Sequence, residues 1–454
     1  MFAFIEKFLL GDLLTLKKDP LGIFRTSVAK RPVTTFRIGR TPGHLVGDPE
    51  LTRHFLVQNQ SNYDKRTRPW MNISLVIGNS LLVSNGSFWR RQRRMAAPAF
   101  HGERVHTLGP VFMRIARDCA LRWDTASSTG TPLRLEEEMM RCALLSATRA
   151  LFGADVDDST FRMLSESVPD LLRALSARTS GLPWPMWMPT RANLNLQAAI
   201  RPVHRIISTI IEGKRASLAG GAPRNPGETD LLTTLMLARD ETTGKTMTDT
   251  ELRDEVMGFF FAGHETTAVA LTWFWILLQR HPDELALIRE ELASELGSRV
   301  PADADLPKLG RIHRAVMETL RIYPPVWMID RRALGNDQLG NQKVGKGDIV
   351  ICTPYGMHRN AAYWKNPDDF DPSRFEPGWE KSANRFAFMP FGAGPRACIG
   401  MSFVMLEMQL LLAYLIPRFT FDVPDASEIL PIARMTIRPD RPVWMSVRRT
   451  NVPL

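Results

Sequence analysis

The sequence predicts a mainly α-helical protein with small β-sheets, an α+β arrangement. Three observations carry this. Apolar residues recur at helical spacing from Asp48 to about residue 320. One nearly unbroken apolar stretch, from about Thr248 to Gln279, is far too long for a strand. β-Branched runs are short, and they lie before Asp48 or after residue 325. The 454 residues, 44% hydrophobic and 23% charged, can bury a large core and do not resemble a disordered chain. No repeat at a period of about 20 to 50 residues is visible, which excludes a solenoid or propeller. One domain over residues 1–454 accounts for the whole order.

Residues 1–30 open with MFAFIEKFLLGDLLTLKKDP, where Glu6, Lys7, Gly11 and Asp12 interrupt the apolar run. That is short of the roughly 18 apolar residues a membrane span needs, and no signal-peptide pattern is present. The segment is read as a short amphipathic helix packed on the core, with contact to a membrane surface as the alternative. Val33-Thr34-Thr35-Phe36 and Leu45-Val46 form a hairpin around Thr41-Pro42-Gly43. The helical pattern that follows breaks into loops at 180–185 and 219–223. Thr248 caps the long helix, and Glu251 completes a capping box. A helix so apolar on all faces runs through the centre. Beyond residue 325 come Pro-rich loop, short strands over 344–353, a helix from Ile399 to Leu415, and a hairpin-like tail from Pro431 to Arg449.

Net charge is +10. The basic residues are spread along the chain with no block or tail, which argues against nucleic acid and leaves an acidic protein partner or a solvated face. The four cysteines, 119, 142, 352 and 398, are too few and too scattered for a disulfide framework or a zinc site, and fit a reducing cytoplasm.

One cysteine stands in a distinctive loop, Phe391-Gly392-Ala393-Gly394-Pro395-Arg396-Ala397-Cys398-Ile399-Gly400, just before a helix. Glycines permit a tight turn, and a thiolate at a helix start is stabilised by backbone N–H groups. An inert buried thiol is the plain alternative. Phe391, Gly394, Arg396, Cys398 and Gly400 resemble, position for position, the haem-binding signature F-x-x-G-x-R-x-C-x-G of the cytochrome P450 family. The resemblance implies that family's fold, with a long central helix over the haem and the cysteine loop before a C-terminal helix. It also implies haem b (iron protoporphyrin IX), Cys398 as iron ligand, Phe391 and Gly392 near the sulfur, and Arg396 on a haem propionate. Thiolate ligation favours O–O cleavage, so dioxygen is the expected co-substrate.

Mid-way along the long helix lies Ala262-Gly263-His264-Glu265-Thr266-Thr267. Gly263 and Thr266 share a face, glycine leaves room beside the backbone, and a hydroxyl both accepts and donates. A helix kink with a back-bonded threonine is the alternative. The stretch is similar to the family's (A/G)-G-x-(D/E)-T-T/S, which implies that Glu265 and Thr266 relay protons to dioxygen, with Ala262 and Gly263 against the haem.

Glu318 and Arg321 stand one helical turn apart, and with Asp371-Pro372-Ser373-Arg374-Phe375 they resemble the family's ExxR and PERF elements. Ser373 replaces the usual acid. Glu318, Arg321 and Arg374 are expected to hold the fold. Trp89 and Arg93, at i and i+4, can reach one carboxylate and resemble the family's W-x-x-x-R propionate clamp. Arg331 matches a further clamp, with Arg332 as its rival. Arg90 and Arg94 lie on a neighbouring stripe that either docks an acidic electron donor or is simply solvated.

By analogy with the family, the substrate pocket draws on Trp70, Ile73, Leu75, Phe259, Val326, Trp327, Met328, Ile329 and Ile432. An apolar wall of this kind implies a terpenoid, steroid-like or fatty-acid substrate. Pro183-Trp184-Pro185-Met186-Trp187-Met188-Pro189 is either an entrance lid or a packed loop. No flavin- or nicotinamide-binding stretch follows, so electrons are expected from NAD(P)H through a reductase and a ferredoxin or flavodoxin. A monomeric monooxygenase is the reading. A haem-thiolate isomerase or dehydratase, or a haem sensor, is the alternative.

Overall fold

The computed structural model describes residues 18–154, 158–180, 184–221, 230–382 and 384–452. Its helices of ten residues or more are α1 (Pro20–Lys30), α2 (Arg68–Ile77), α3 (Gly86–Ala96), α4 (Gly109–Thr129), α5 (Leu135–Ser146), α6 (Asp158–Ser180), α7 (Arg191–Ala219), α8 (Asp249–Arg280), α9 (Pro282–Leu296), α10 (Gly310–Ile322) and α11 (Met401–Leu415). The strands are β1 (Val33–Ile38), β2 (Thr41–Val46), β3 (Tyr63–Asp64), β4 (Leu133–Arg134), β5 (Ile329–Ala333), β6 (Asp337–Leu339), β7 (Gln342–Val344), β8 (Ile349–Cys352), β9 (Phe419–Asp422), β10 (Pro431–Ala433), β11 (Ile437–Pro439) and β12 (Trp444–Arg449). The mainly helical class with small sheets is therefore what the chain adopts.

Helix α8 begins as predicted. The Thr248 hydroxyl accepts from the Glu251 N–H at 3.2 Å, and the Glu251 carboxylate accepts from the Thr248 N–H at 2.8 Å. Such a cap contributes about 1 kcal/mol. Helices α2, α5, α7, α9, α10 and α11 all pack on α8. Its C-terminal half fills the middle with Trp273, Phe274 and Trp275, all buried. One buried apolar cluster extends from Leu21 to Val447, and a second lies under the five-stranded sheet β1-β2-β8-β5-β3.

Three expectations about the β regions need correction. The first hairpin turns at Gly39-Arg40, with Ile38 paired to Thr41, because Gly39 supplies the positive φ of 60°. Thr41-Pro42-Gly43 belongs to β2 instead. The stretch after residue 325 contains β5, whose neighbours β3 and β8 only long-range pairing reveals. In the tail, only β10 and β11 form a hairpin. β12 leaves to join β4 and β9, and Pro442, between β11 and β12, has no N–H to continue a ladder.

Residues 1–17 lie outside the described residues. Helix α1 packs inward through Leu21, Phe24 and Val28, with Phe24 against Trp327. Among the described residues no helix is long and apolar enough to cross a membrane. The predicted breaks fall after α6 and α7, with 181–183 and 222–229 outside the description.

Candidate active site: a cysteine loop and an accessible stretch of the central helix

Cys398 ends a loop whose two glycines, Gly392 and Gly394, have φ near 70°. A side chain at Gly394 would collide with the Leu56 carbonyl oxygen, so glycine is required twice over. The Cys398 N–H donates to the Phe391 carbonyl at 2.8 Å. Helix α11 starts at Met401, and the Gly400 N–H donates to the sulfur. Burial nevertheless pushes the Cys398 thiol up, with the Gly400 N–H and the nearby Arg93 pulling it down. The other three cysteines are buried, whereas the Cys398 side chain is accessible although it lies deep in the protein. It faces an internal space.

Helix α8 opens on such a space too. Between Asp254 and Leu278 every residue is buried except Ala262, Gly263 and Thr266. These three lie on one face at i, i+1 and i+4. An aromatic pair links the helix to the loop: Phe259, one turn earlier, stacks on Phe100 at 5.5 Å, and Phe100 borders Gly400 beside the Cys398 sulfur. The Thr266 hydroxyl donates to the Ala262 carbonyl at 2.9 Å, the back-bonded form foreseen as the plain alternative. It keeps both lone pairs for an incoming donor.

Glu265 points elsewhere. Its carboxylate accepts from Arg438 Nη2 at 2.5 and 2.6 Å, from Arg438 Nε at 2.9 Å and from the Thr436 hydroxyl at 2.8 Å. The acid and the alcohol expected to act as a pair are thus adjacent in sequence but directed to different neighbours.

The most unusual electrostatic feature is a cluster of cations. Lys65, Arg331 and Arg396 repel one another and Arg93 lies near Cys398; none of the four forms an ion pair with a carboxylate among the described residues, although Asp330 and Asp64 are near enough to act on the first three. The Lys65 ammonium donates to the Leu82 carbonyl at 2.7 Å and lies over the Trp70 ring at 4.2 Å. Arg331 donates to the Asp330 carbonyl. Arg396 stacks on Trp89 at 4.3 Å and donates to Asn85 at 3.2 Å, while its buried Nη1 has no partner. Burial, reinforced by mutual repulsion, pulls Lys65 well below its usual range and brings Arg396 down to about 10. Lys65 and Arg331 are buried and Arg93 and Arg396 half-buried, and cations so placed call for an anion. A planar group carrying two carboxylates, with a metal to meet the thiol, fits: the residues present suit haem. Arg331 rather than its rival Arg332 turns inward, Arg332 being exposed. Lys65 was not anticipated, for it stands in no motif. On the neighbouring stripe Arg90 is exposed, but Arg94 is held by Asp240 at 3.3 Å.

Beneath the loop lies a buried ion-pair network. Arg321 grips Glu318 with two bonds of 2.6 and 2.7 Å, and its remaining N–H groups reach the carbonyls of His358, Pro367 and Asp369. Glu318 also accepts from the Asp371 N–H at 2.9 Å and from Arg374 at 3.3 Å, so the three predicted members do meet. His358 joins this network to the loop, since Nδ1 bonds the Arg321 carbonyl and Nε2 accepts from the Met389 N–H, two residues before Phe391. Burial drives the His358 imidazole down to about 3, so it stays neutral.

The nine residues expected to line the pocket divide. Trp70 commits its indole N–H to Asp330 at 2.7 Å and joins the cation cluster, and Phe259 stacks on Phe100. Trp327 donates to the Arg434 carbonyl and packs on Phe24, and Ile329 is buried against Gly392. Ile73 is buried, Met328 and Ile432 are half-buried, and Val326 and Leu75 are exposed. The tryptophan loop is both packed and exposed. Arg178 holds it from inside through the Trp184 carbonyl, while Trp187 is 79% exposed.

Comparison with known proteins agrees with this geometry. The family model described as "Cytochrome P450" matches residues 6–445. "Cyclooctatin synthase" of Streptomyces melanosporofaciens is 32% identical over 432 residues, covering 94% of this chain and 91% of that protein. "Cyclooctat-9-en-7-ol 5-monooxygenase" of the same organism is 31% identical, covering 90% and 87%. The crystal structure of the cytochrome P450DA heme domain superposes with a TM-score of 0.84 at 25% identity, covering 95% of this chain and 93% of that one.

Two outcomes follow from the cation cluster and the histidine link. Lys65→Met removes an unpaired buried cation, so it should stabilise the haem-free protein by about 2 kcal/mol while speeding haem loss to an acceptor protein. Equal stability and equal haem retention would contradict the charge argument. For His358, the folded value of about 3 lies below the ordinary 6.5, so the unfolded chain binds the proton first. Its contribution is full above pH 6.5 and is lost as pH falls toward 3, by about 1.4 kcal/mol per unit. His358→Gln should flatten this slope in urea unfolding measured at several pH values.

Proposed function

Since the chain belongs to the cytochrome P450 family and is a haem-thiolate monooxygenase, we propose that it hydroxylates or epoxidises a terpenoid, with Cys398 as the iron ligand. One oxygen atom enters the substrate and the other leaves as water, which takes two electrons and two protons. Haem held by a thiolate supplies the electron-rich iron that favours O–O cleavage. The accessible trio Ala262, Gly263 and Thr266, set in an otherwise buried helix that an aromatic pair links to the cysteine loop, carries this reading.

The chain's own residues divide the remaining work. Gly400 donates to the sulfur and so supports its charged form. Lys65, Arg93, Arg331 and Arg396 would orient the propionates, and Trp89 supports Arg396 from below. Thr266 accepts a proton at Oγ1 and passes one on, while its bond to Ala262 holds the hydroxyl on the open face. Glu265 acts behind it. Val326, Met328 and Ile432 offer apolar contact to the substrate. The terpenoid class rests on that lining and on a relative whose name gives an alicyclic alkenol as its substrate. A ferredoxin or flavodoxin and its reductase supply electrons from NAD(P)H.

The reduced, CO-treated protein should show the red-shifted Soret band of a thiolate ligand, and Cys398→His should lose it. Titration with a panel of terpenes should produce a low- to high-spin shift, whereas a response to none of them would reject the substrate class. Thr266→Ala should retain haem and consume reductant but release hydrogen peroxide, with product per reductant falling by about tenfold or more. Unchanged coupling would remove Thr266 from proton delivery.

A further inference from the structure

Glu265 is held by residues that no motif predicts, and they lie on the same hairpin as a pocket residue. Strands β10 and β11 pair with Ile432 directly opposite Arg438. Residues opposite one another in an antiparallel pair project from the same face, so the face that carries Arg438 to α8 also carries Ile432. The hairpin is fixed in place at three points. Trp273 of α8 donates to the Ile437 carbonyl at 2.8 Å, the Ile437 N–H donates to Pro325, and Trp327 donates to the Arg434 carbonyl at 2.9 Å. These bonds leave Arg438 and Thr436 little freedom relative to Glu265. Arg438 meets both carboxylate oxygens in a fork, the strongest arrangement available to that pair. The Glu265 side chain is 6% exposed and that of Arg438 is 32%, so the pair reaches from the buried helix toward solvent.

We propose that Arg438, assisted by Thr436, is the positioning residue for proton supply at Glu265. On this view the β10–β11 hairpin joins substrate contact at Ile432 and proton supply at Glu265 in one rigid element. The proposal rests on the monooxygenase reading above. A carboxylate in so apolar a helix has to be paired to be kept. Its partner therefore decides where the carboxylate points and how readily water reaches it. Without the fork, Glu265 is free to turn, and protons arrive without the geometry that Thr266 requires. Reductant is then spent on hydrogen peroxide rather than on product.

The test uses the intact holoprotein with a substrate found by spin-state titration. Wild-type protein must first show the thiolate CO band and form product, a control whose failure would count against the underlying reading and not against Arg438. In Arg438→Met, product per reductant should fall by about tenfold or more with hydrogen peroxide making up the difference, and the solvent isotope effect on turnover should change. The dissociation constant from the spin-state titration should stay within about twofold, because Arg438 is not asked to touch substrate. Arg438→Lys keeps the charge and should restore most of the coupling. Thr436→Val removes one hydrogen bond and keeps the ion pair, so it should reduce coupling mildly even if Arg438→Met fails to retain haem. Wild-type coupling in haem-replete Arg438→Met would overturn the proposal, as would wild-type coupling in Thr436→Val where the methionine variant does not fold.

Discussion

The Glu318–Arg321 pair is the constraint on which the rest of the site depends. Both side chains are completely buried, which is costly unless every hydrogen-bonding group is satisfied. Here the cost is met locally: all five guanidinium N–H groups have acceptors, drawn from Glu318 and from three carbonyls over 358–369. The pair therefore organises a stretch of chain with little regular structure. His358 extends the order to Met389, and from there the chain enters the cysteine loop. A neutral imidazole suits this position because one nitrogen must donate and the other accept. Loss of either contact would free the loop that carries Cys398.

A second balance is struck above the loop. Lys65, Arg331 and Arg396 gather where the described protein offers carbonyls, an amide and aromatic faces, with the Asp330 and Asp64 carboxylates nearby but in no ion pair with them. Aromatic faces soften the problem, since Lys65 over Trp70 and Arg396 over Trp89 each gain about 1 kcal/mol. That does not cancel burial of like charges. The cluster thus keeps an excess of positive charge, which would suit a dianionic group. Trp70 supports Lys65 with its ring while Asp330 holds its indole N–H.

Much of this was legible in the sequence where short-range chemistry decides the outcome. The capping box at Thr248 and Glu251, the i, i+3 pair of Glu318 and Arg321, and the glycine-rich cysteine loop are local patterns, and each appears as read. What escaped was set by distant partners. Lys65 becomes notable only because Arg331 and Arg396, far along the chain, come to its side. His358 is one histidine among nine until Arg321 and Met389 bracket it. β5 looked like loop because its ladder partners lie in β3 and β8. The direction of Glu265 is likewise set by Thr436 and Arg438, since adjacency to Thr266 in sequence says nothing of direction and consecutive helical residues diverge by about 100°.

The central helix shows how a site can be recognised from packing alone. Twenty-two of the residues from Asp254 to Leu278 are buried, and the three that are not are alanine, glycine and threonine. A glycine inside a helix costs about 1 kcal/mol relative to alanine. At Gly263 no neighbour demands it, since an added Cβ would meet only Leu151 at an ordinary 3.6 Å. Glycine at Gly394 is explained by the protein, because the Leu56 carbonyl leaves no room. Glycine at Gly263 leaves the open side free of side-chain bulk. A residue that lowers helix stability without serving the packing marks a surface shaped for something other than the fold, and Thr266 presents its hydroxyl on that same surface.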